Sequence, residues 1–259
     1  MDDSLSLTGK VALITGAASG IGKGTAELFA EHGCRLVLVD RSRDELEKVA
    51  QEIEAETIEA DVSDADQMKR ACDRAVERFG RLDIVYANAG INGVWAPIEE
   101  IAPEEFDRTI SINLRGAFLT IKYAVPHLRK QGGSVLVTSS VNGTRTFSNT
   151  GATAYSTSKA GQLAMAKMLA VELGRDKVRV NVICPGAIST NIGESTEQRH
   201  IDQIKVPAEY PEGTSPLAGE ETGNPEQVGK LALFLVSDLA QHITGEVVYI
   251  DSGASLVVG

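Results

Sequence analysis

Short apolar runs alternate along the chain with longer segments in which apolar residues recur at helical spacing. The runs at residues 10–15 (KVALIT) and 35–39 (RLVLV) have strand length and are apolar enough to be buried on both faces of a parallel sheet. Between them, residues 21–32 carry apolar side chains near helical spacing, and Gly33 follows as a stop signal. These segments predict one strand–helix–strand unit.

The alternation continues along the rest of the chain. Pro103 and Pro225 suit the first turn of a helix, where a missing amide hydrogen costs nothing, and Ser63 and Asp64 are suitable caps. Further strands are predicted at residues 57–60, 82–86, 134–139, 178–184 and 246–250, and further helices at 42–55, 64–79, 103–130, 154–173 and 225–236. This order predicts an α/β fold, a single doubly wound (Rossmann) parallel seven-stranded sheet with helices on both faces.

Residues 190–224 lack this periodicity. The segment is rich in Glu, Gly and Pro and is longer than ordinary loops. Long irregular segments in compact domains are usually functional or disordered. We therefore predict one domain over residues 1–259, in which residues 190–224 form a mobile lid over a substrate site.

Composition and charge narrow the class of protein. Of 259 residues, 42% are hydrophobic and 24% charged, which is typical of a globular protein. The 36 Asp and Glu residues against 25 Lys and Arg give a net charge of −11, and no dense basic stripe interrupts this acidity. Nucleic acid is therefore not an expected partner. The first residues lack the pattern of a secretory signal, and no run approaches a membrane span, so no membrane partner is expected.

The cysteines and histidines indicate the compartment and the metal chemistry. Cys34, Cys72 and Cys184 are widely spaced and include no C-x-x-C pair, which predicts buried free thiols in a reducing, cytoplasmic environment. The four histidines lie far apart in the sequence, none at metal-ligand spacing. No metal site is therefore expected.

A glycine-rich turn, TGAASGIG at residues 15–22, directly follows the first predicted strand. Glycines there allow the backbone to approach a pyrophosphate closely, while free amides and the positive end of the helix dipole bind the anion. A strand-to-helix turn without a ligand is the alternative. The cofactor contacts predicted in this turn are Gly16, Ser19, Gly20, Ile21 and Gly22.

The end of the second predicted strand favours NAD over NADP. The Asp40 carboxylate can accept hydrogen bonds from ribose hydroxyls and would repel a 2′-phosphate. Arg41 has the opposite preference, because a guanidinium pairs with a 2′-phosphate. Since Ser19 adds no positive charge to the turn, we predict that NAD is the cofactor and that Asp40 and Arg41 lie beside it.

Five motifs, in order over residues 7–255, resemble the short-chain dehydrogenase/reductase family. They are the glycine turn, Asp61-Val62, Asn88-Ala89-Gly90, the Y-x-x-x-K pattern from Tyr155 to Lys159, and residues 181–190. The resemblance implies an oxidoreductase that works as a homotetramer. It implies further cofactor contacts at Asp61, Val62, Asn88, Ala89, Gly90, Tyr155, Lys159, Pro185, Gly186, Ile188 and Thr190.

Tyr155 and Lys159 lie four residues apart on a predicted helix and hence on one face. A free tyrosine, with a pKa of about 10, is too weak a base at neutral pH. A lysine ammonium and an oxidised nicotinamide both favour the phenolate, and lowering the pKa by about 3 units requires roughly 4 kcal/mol. We therefore assign Tyr155 as the general acid/base and Lys159 as its activator, which by the resemblance also binds the nicotinamide ribose.

The resemblance implies two further catalytic residues. Ser140 is similar to the family serine that holds the substrate oxygen, where a hydroxyl can polarise a carbonyl or stabilise an alkoxide. Asn113 is similar to the family asparagine that anchors a water linking Lys159 to solvent.

Three functions are consistent with these residues. The first is an NAD-dependent oxidoreductase that transfers a hydride between a secondary alcohol, or its ketone, and the nicotinamide. The second is a 3-oxoacyl-thioester (acyl carrier protein) reductase. Asp40 and the acidic surface disfavour it, whereas Arg129, Lys130 and Arg175 offer a local basic patch. The third is a non-catalytic dinucleotide-binding sensor on the same fold. The expected partner is a small-molecule alcohol or ketone, and the apolar tail at 247–258 suits a subunit contact.

Overall fold

The computed structural model describes residues 3–206, 215–219 and 221–257. The seven predicted strands lie within two residues of the observed ones, and two short strands are added. The strands are β1 (Val11–Thr15), β2 (Arg35–Asp40), β3 (Glu56–Glu59), β4 (Ile84–Ala87), β5 (Gly93–Trp95), β6 (Gly133–Thr138), β7 (Val178–Pro185), β8 (Thr196–Gln198) and β9 (Val247–Ile250). The α-helices are α1 (Gly20–Glu31), α2 (Arg43–Ile53), α3 (Ala65–Phe79), α4 (Pro103–Ile110), α5 (Gly116–Leu128), α6 (Thr153–Leu173), α7 (Pro225–Val236) and α8 (Ala254–Val257).

Seven strands form one parallel sheet in the order β3-β2-β1-β4-β6-β7-β9. The chain moves outward from β1 to β3 and then crosses to β4 on the other side of β1. Ligands of doubly wound sheets bind at the carboxyl ends of the strands where this reversal occurs. The predicted fold class is confirmed, and the sheet places the carboxyl ends of β1 and β4 side by side.

Helices cover both faces of the sheet because successive strand residues point to opposite sides. Val11 and Leu13 of β1 belong to the core beneath α3, α5 and α6. Ala12 and Ile14 of the same strand belong to the core beneath α1, α2 and α7. All four side chains are completely buried, as expected for a central parallel strand.

The helix ends follow the predicted chemistry. The Asp64 carboxylate accepts a hydrogen bond of 2.9 Å from the Gln67 amide and caps α3. Pro103 and Pro225 occupy the first turns of α4 and α7. The region predicted as one helix over residues 103–130 contains a widened π-type turn at Ser111–Arg115 between α4 and α5.

The strands β5 and β8 were not predicted from the sequence. They pair in parallel, with Gly93 opposite Thr196 and Trp95 opposite Gln198, and join residues after β4 to the predicted lid. Residues 207–214 and 220 of that lid prediction, and residue 258 of the predicted tail contact, lie outside the described residues.

The predicted buried thiols are confirmed. Cys34, Cys72 and Cys184 are free and buried, and burial raises the pKa of Cys34 and of Cys72 to about 12. No described helix is long and apolar enough to span a membrane. No group of three or more His, Cys, Asp and Glu side chains in the described parts of the chain could hold a metal ion.

Candidate active site

A crevice of about 820 Å³ lies at the carboxyl ends of the sheet strands. All but two of the predicted site residues line it. Gly22 lies inside the glycine turn, and Asn113 lies behind the wall formed by Ile91 and Ile112. The predicted residues that line the crevice are Gly16, Ser19, Gly20, Ile21, Asp40, Arg41, Asp61, Val62, Asn88, Ala89, Gly90, Ser140, Tyr155, Lys159, Pro185, Gly186, Ile188 and Thr190.

The glycine turn is closed so tightly that side chains would not fit at Gly16 and Gly22. A Cβ on Gly22 would lie 2.0 Å from the carbonyl oxygen of Gly16, and Gly16 itself has a φ of +68°. The Ser19 side chain makes no capping hydrogen bond to α1 in the described structure. The first amides of α1 are therefore free to bind an anion at the floor of the crevice.

Asp40 ends β2 and projects into the crevice. One carboxylate oxygen accepts a hydrogen bond of 3.2 Å from the Ala18 amide, and the other accepts one of 3.0 Å from the Ser42 amide. These bonds fix the carboxylate beside the glycine turn. Arg41 is exposed at the same rim.

The polar ends of three strands are tied together next to this turn. Asn88, after β4, donates to the main-chain oxygen of Thr15 at 3.1 Å and accepts from the Thr138 hydroxyl at 2.9 Å. The Thr15 hydroxyl accepts from the Asn88 amide at 3.1 Å. Asn88 therefore joins β1 to β6 and gives the crevice a rigid floor.

Tyr155 and Lys159 project from successive turns of α6 into the same wall. Both are buried, and the Lys159 Nζ atom lies 5.6 Å from the centroid of the Tyr155 ring. Lys159 Nζ donates a hydrogen bond of 2.9 Å to the main-chain oxygen of Thr138. One wall thus holds a phenol, an ammonium group and the end of β6.

Burial controls the ionisation of this pair. It lowers the pKa of Lys159 from its ordinary value to about 8, which leaves the amine mainly charged at neutral pH. Burial raises the pKa of Tyr155, and the hydrogen bond from Ser140 opposes that rise. The lowering of the Tyr155 pKa expected from the sequence is therefore not produced by the protein's own side chains, because desolvation outweighs their favourable contacts.

Ser140 follows β6 and faces Tyr155. Its Oγ accepts a hydrogen bond of 3.2 Å from the Asn142 amide, which orients the hydroxyl. The Asn142 side chain turns away and its oxygen accepts a hydrogen bond from Asn149 at 3.2 Å. Ser140 and Tyr155 therefore present two hydroxyl groups to one point in the crevice.

Asn113 lies in the widened turn between α4 and α5 and is completely buried. Its side-chain oxygen accepts from the Ile91 amide at 2.8 Å, and its nitrogen donates to the Ile91 carbonyl at 2.9 Å and to Ser158 Oγ at 3.0 Å. The side chain is thus engaged with the protein and lies directly behind Gly90 and Ile91, which line the crevice.

Several residues of the crevice were missed by the sequence analysis. Thr138 is the most important, and its only signal was a polar residue that ends an apolar strand. Of the others, Ala18 belongs to the predicted glycine turn and residues 191–195 to the predicted lid, although none was singled out, and the rest have no local signal because tertiary packing brings them to the crevice. The others are Ala18, Ser42, Glu45, Ala60, Ile91, Ile112, Ser139, Asn191, Ile192, Glu194 and Ser195.

The residues after β7 form one side of the crevice and are anchored by β5 and β8. The Asn92 amide donates to Ser195 Oγ at 3.0 Å. Arg199 pairs with Glu105, and His200 Nδ1 lies 2.7 Å from a Glu100 carboxylate oxygen. The described part of the predicted lid is therefore attached to the loop after β4 and to the start of α4.

These features fit a dinucleotide. Gly16 and Gly22 of the turn have room only for backbone, the α1 amides suit a pyrophosphate, and Asp40 offers a fixed carboxylate to a ribose. Tyr155 and Lys159 lie in another wall of the same crevice. A nicotinamide between them and the turn would lie beside the Tyr155 hydroxyl and the Lys159 amine.

Comparisons with known proteins agree with this arrangement. A family model described as enoyl-(acyl carrier protein) reductase matches residues 16–255. The 3-oxoacyl-(acyl-carrier-protein) reductase of Thermotoga maritima is 38% identical in an alignment of 254 residues that covers 95% of this chain and 98% of that protein.

Two solved structures extend the similarity to three dimensions. A 3-ketoacyl-ACP reductase from Sinorhizobium meliloti is 50% identical, with a TM-score of 0.91 over 95% of this chain and 99% of that chain. A 3-ketoacyl-(acyl-carrier-protein) reductase from Brucella melitensis, complexed with NADH, is 33% identical, with a TM-score of 0.86 over 96% of this chain and 100% of that chain.

Proposed function

The chain belongs to the short-chain dehydrogenase/reductase family, and we propose that it uses NAD to transfer a hydride between the nicotinamide and a secondary alcohol or its ketone. As a member of this family it is an oxidoreductase that acts on alcohol and keto groups with a nicotinamide cofactor. The choice of NAD and the roles of individual residues are our proposal.

The convergence of Ser140, Tyr155 and Lys159 in one wall of the crevice is the observation that carries this proposal. In alcohol oxidation, Tyr155 takes the proton of the substrate hydroxyl, while a hydride leaves the carbon that carries this hydroxyl. When substrate is bound, the single Ser140 proton turns from Tyr155 to the substrate oxygen, while the Ser140 oxygen stays held by the Asn142 amide. The reverse steps reduce a ketone.

Lys159 and the cofactor together make Tyr155 a usable base. Desolvation disfavours both the phenolate and the ammonium, so an ion pair between them is more favourable than either charge alone. Bound NAD would supply the hydride acceptor and a positive ring charge near the phenol. Asn113 anchors a water that links Lys159 to solvent.

Asp40 supports NAD rather than NADP. Its two oxygens are held by the amides of Ala18 and Ser42, so the carboxylate cannot easily turn away from a ligand. A 2′-phosphate would meet this fixed negative charge, whereas ribose hydroxyls can donate to it. The related structure from Brucella melitensis was solved with NADH.

The remaining roles follow the same family pattern. We propose that the crevice residues predicted from the sequence contact NAD, that residues 190–224 cover a small alcohol or ketone, and that residues 1–259 work as one domain. We also propose a cytoplasmic homotetramer. Exposed apolar side chains on α6, Met168 and Val171, and at the carboxyl end, Leu256, support subunit contacts.

A second candidate is reduction of a 3-oxoacyl thioester, which the names of the relatives from Thermotoga maritima and Sinorhizobium meliloti favour. The basic patch expected to attract a carrier protein gives it little support. Arg129 is paired with Glu172 and Asp176, near the amino ends of β6 and β7, whereas the crevice lies at the carboxyl ends.

The proposal is tested by NAD reduction with a panel of secondary alcohols and by oxidation of NADH and NADPH with matched ketones and 3-oxoacyl thioesters. Replacing Tyr155 with Phe is expected to reduce turnover about 10²- to 10⁴-fold. The half-buried Tyr123 of α5 provides the matched control, Tyr123→Phe. Turnover that survives in the Tyr155 variant contradicts the mechanism, and binding of NAD with no turnover of any substrate supports a sensor.

A further inference from the structure

Gln162 is a buried polar residue of α6 that the proposed reaction does not yet use. Its side chain is completely buried, and Nε2 donates a hydrogen bond of 2.8 Å to the main-chain oxygen of Asn113. A carbonyl oxygen only accepts hydrogen bonds, so this contact decides which end of the amide faces Asn113. The Gln162 oxygen must therefore point elsewhere.

That oxygen, Oε1, has no hydrogen-bond partner in the described structure although it is buried. A buried acceptor without a partner is costly, and an apolar side chain of similar size would avoid the cost. Such groups are few in native proteins, and a functional site or an ordered water commonly explains them. Packing alone does not explain a glutamine here.

The spacing along α6 connects Gln162 to the catalytic pair. Tyr155 and Lys159 are four residues apart, and so are Ser158 and Gln162, which places two polar pairs on adjoining stripes of one helix. Ser158 Oγ accepts from the Asn113 side chain at 3.0 Å, while Gln162 holds the Asn113 carbonyl at 2.8 Å. Consecutive turns of α6 thus hold Asn113 at both its side chain and its main chain.

Asn113 in turn contacts the residues that surround Lys159. Its side chain bonds both main-chain groups of Ile91, the residue after Gly90. A Cβ placed on Gly90 would lie 3.2 Å from Asn113 Oδ1 and 3.4 Å from Lys159 Nζ. A shift of the Asn113 turn would therefore move the wall against which the Lys159 amine rests.

We propose that Gln162 is a positioning residue of the proton path. It holds the Asn113 turn against α6, and its free oxygen accepts a hydrogen bond from a water that continues the path from Lys159. The inference rests on the proposed function, in which Tyr155 and Lys159 handle the proton. It adds a residue that touches neither substrate nor cofactor and acts through Asn113 and Lys159.

Two substitutions separate this role from packing. Gln162→Met keeps most of the volume but removes both hydrogen-bonding groups and excludes water. Gln162→Ala loses more packing but leaves space in which water can reach the Asn113 carbonyl. Packing alone therefore predicts that Ala is the more harmful change, whereas a proton path predicts that Met is. The control is Thr25→Val, which removes another completely buried oxygen without a described partner, on α1.

The measurement is the pH dependence of kcat for alcohol oxidation, with unfolding followed in parallel. For Gln162→Met we expect kcat to fall about tenfold at neutral pH, with the rise in kcat shifted to higher pH by about one pH unit and KM for NAD within about twofold. Gln162→Ala should show smaller shifts than Gln162→Met despite lower stability. Thr25→Val should leave the profile unchanged.

The failures of the two proposals are distinguishable. If the unmodified enzyme does not turn over alcohols or ketones, the proposed function fails, and if Tyr155→Phe keeps full activity, the proposed role of Tyr155 fails. If the enzyme turns over and the Gln162→Met profile matches that of Thr25→Val, only the role of Gln162 is overturned. A decrease in kcat that is the same at every pH, and that is larger for Gln162→Ala than for Gln162→Met, also overturns the role of Gln162. Should one variant not fold, the profile of the other against the control still decides.

Discussion

The Lys159 amine donates a hydrogen bond of 2.9 Å to the main-chain oxygen of Thr138 and thereby ties α6 to the carboxyl end of β6. An ammonium has three donors, so two remain for a ribose and a water. The bond also fixes the position of the charge relative to Tyr155. A neutral acceptor does little to offset desolvation, which is why burial lowers the pKa of Lys159 to about 8.

Replacing Lys159 with Met should change the dependence of stability on pH. The folded-state pKa, about 8, is lower than the ordinary value of 10.5, so between these two pH values the unfolded chain binds more protons than the folded protein. The free energy of unfolding of the unmodified protein should therefore increase as the pH is raised from about 8 to 10.5. Below this range, burying the charge costs up to about 3 kcal/mol, and Lys159→Met should remove that cost.

Urea unfolding at several pH values, without cofactor, measures this effect. The control is Lys167→Met, which changes an exposed lysine on the same helix. A stability difference between the Lys159 variant and the unmodified protein that does not change between pH 7 and pH 10.5 would contradict the lowered pKa.

Replacing Asp40 with Ser should relax the choice of cofactor. The substitution removes the fixed negative charge that would face a 2′-phosphate, while the nearby Arg41 remains. We expect kcat/KM for NADP, relative to NAD, to increase about tenfold to a hundredfold. The control is Asp44→Ser on the exposed face of α2. An unchanged ratio would show that Asp40 does not select the cofactor.

Replacing Arg199 with Met should loosen the attachment of the segment after β7. Arg199 pairs with Glu105, whose carboxylate also accepts from the Ala102 amide at 2.9 Å and caps α4. The pair is partly exposed, so we expect a loss of only about 1 kcal/mol in stability. Thermolysin should cleave residues 190–206 faster, and KM for the substrate should rise. The control is Arg175→Met, which changes an exposed arginine. Equal cleavage rates for Arg199→Met and the unmodified protein would refute the attachment.

Replacing Val171 with Lys should dissociate the proposed tetramer. Val171 and Met168 are 85% and 73% exposed on one side of α6. A charge there would be buried without a partner on association, which is costly. Analytical ultracentrifugation should show a tetramer for the unmodified protein and smaller species for the variant. The control is Leu239→Lys, at a residue that is 51% exposed. A stable monomer of the unmodified protein at micromolar concentration would exclude the tetramer.

Local patterns were sufficient for the seven strands of the main sheet, for the helices that cover it and for most of the crevice. A strand such as β1 is recognisable because all of its residues are buried on both faces, and the glycine turn follows it directly. Since the carboxyl ends of parallel strands meet at one edge, residues predicted separately, such as Asp40 and Asn88, line a single crevice. A ligand at this edge requires particular charges and backbone conformations, and only a few residue types provide them. The residues at the carboxyl ends of the strands are therefore recognisable in the sequence.

The tertiary structure alone decided how distant segments meet. Gln162 and Asn113 are 49 residues apart, and the pairing of β5 with β8 joins segments more than a hundred residues apart. No periodicity records such contacts, because they depend on how α6 packs against the widened turn and on where the chain after β7 returns. The ionisation of Tyr155 was likewise not readable from spacing. The spacing placed it beside Lys159, but only burial determines that desolvation raises its pKa.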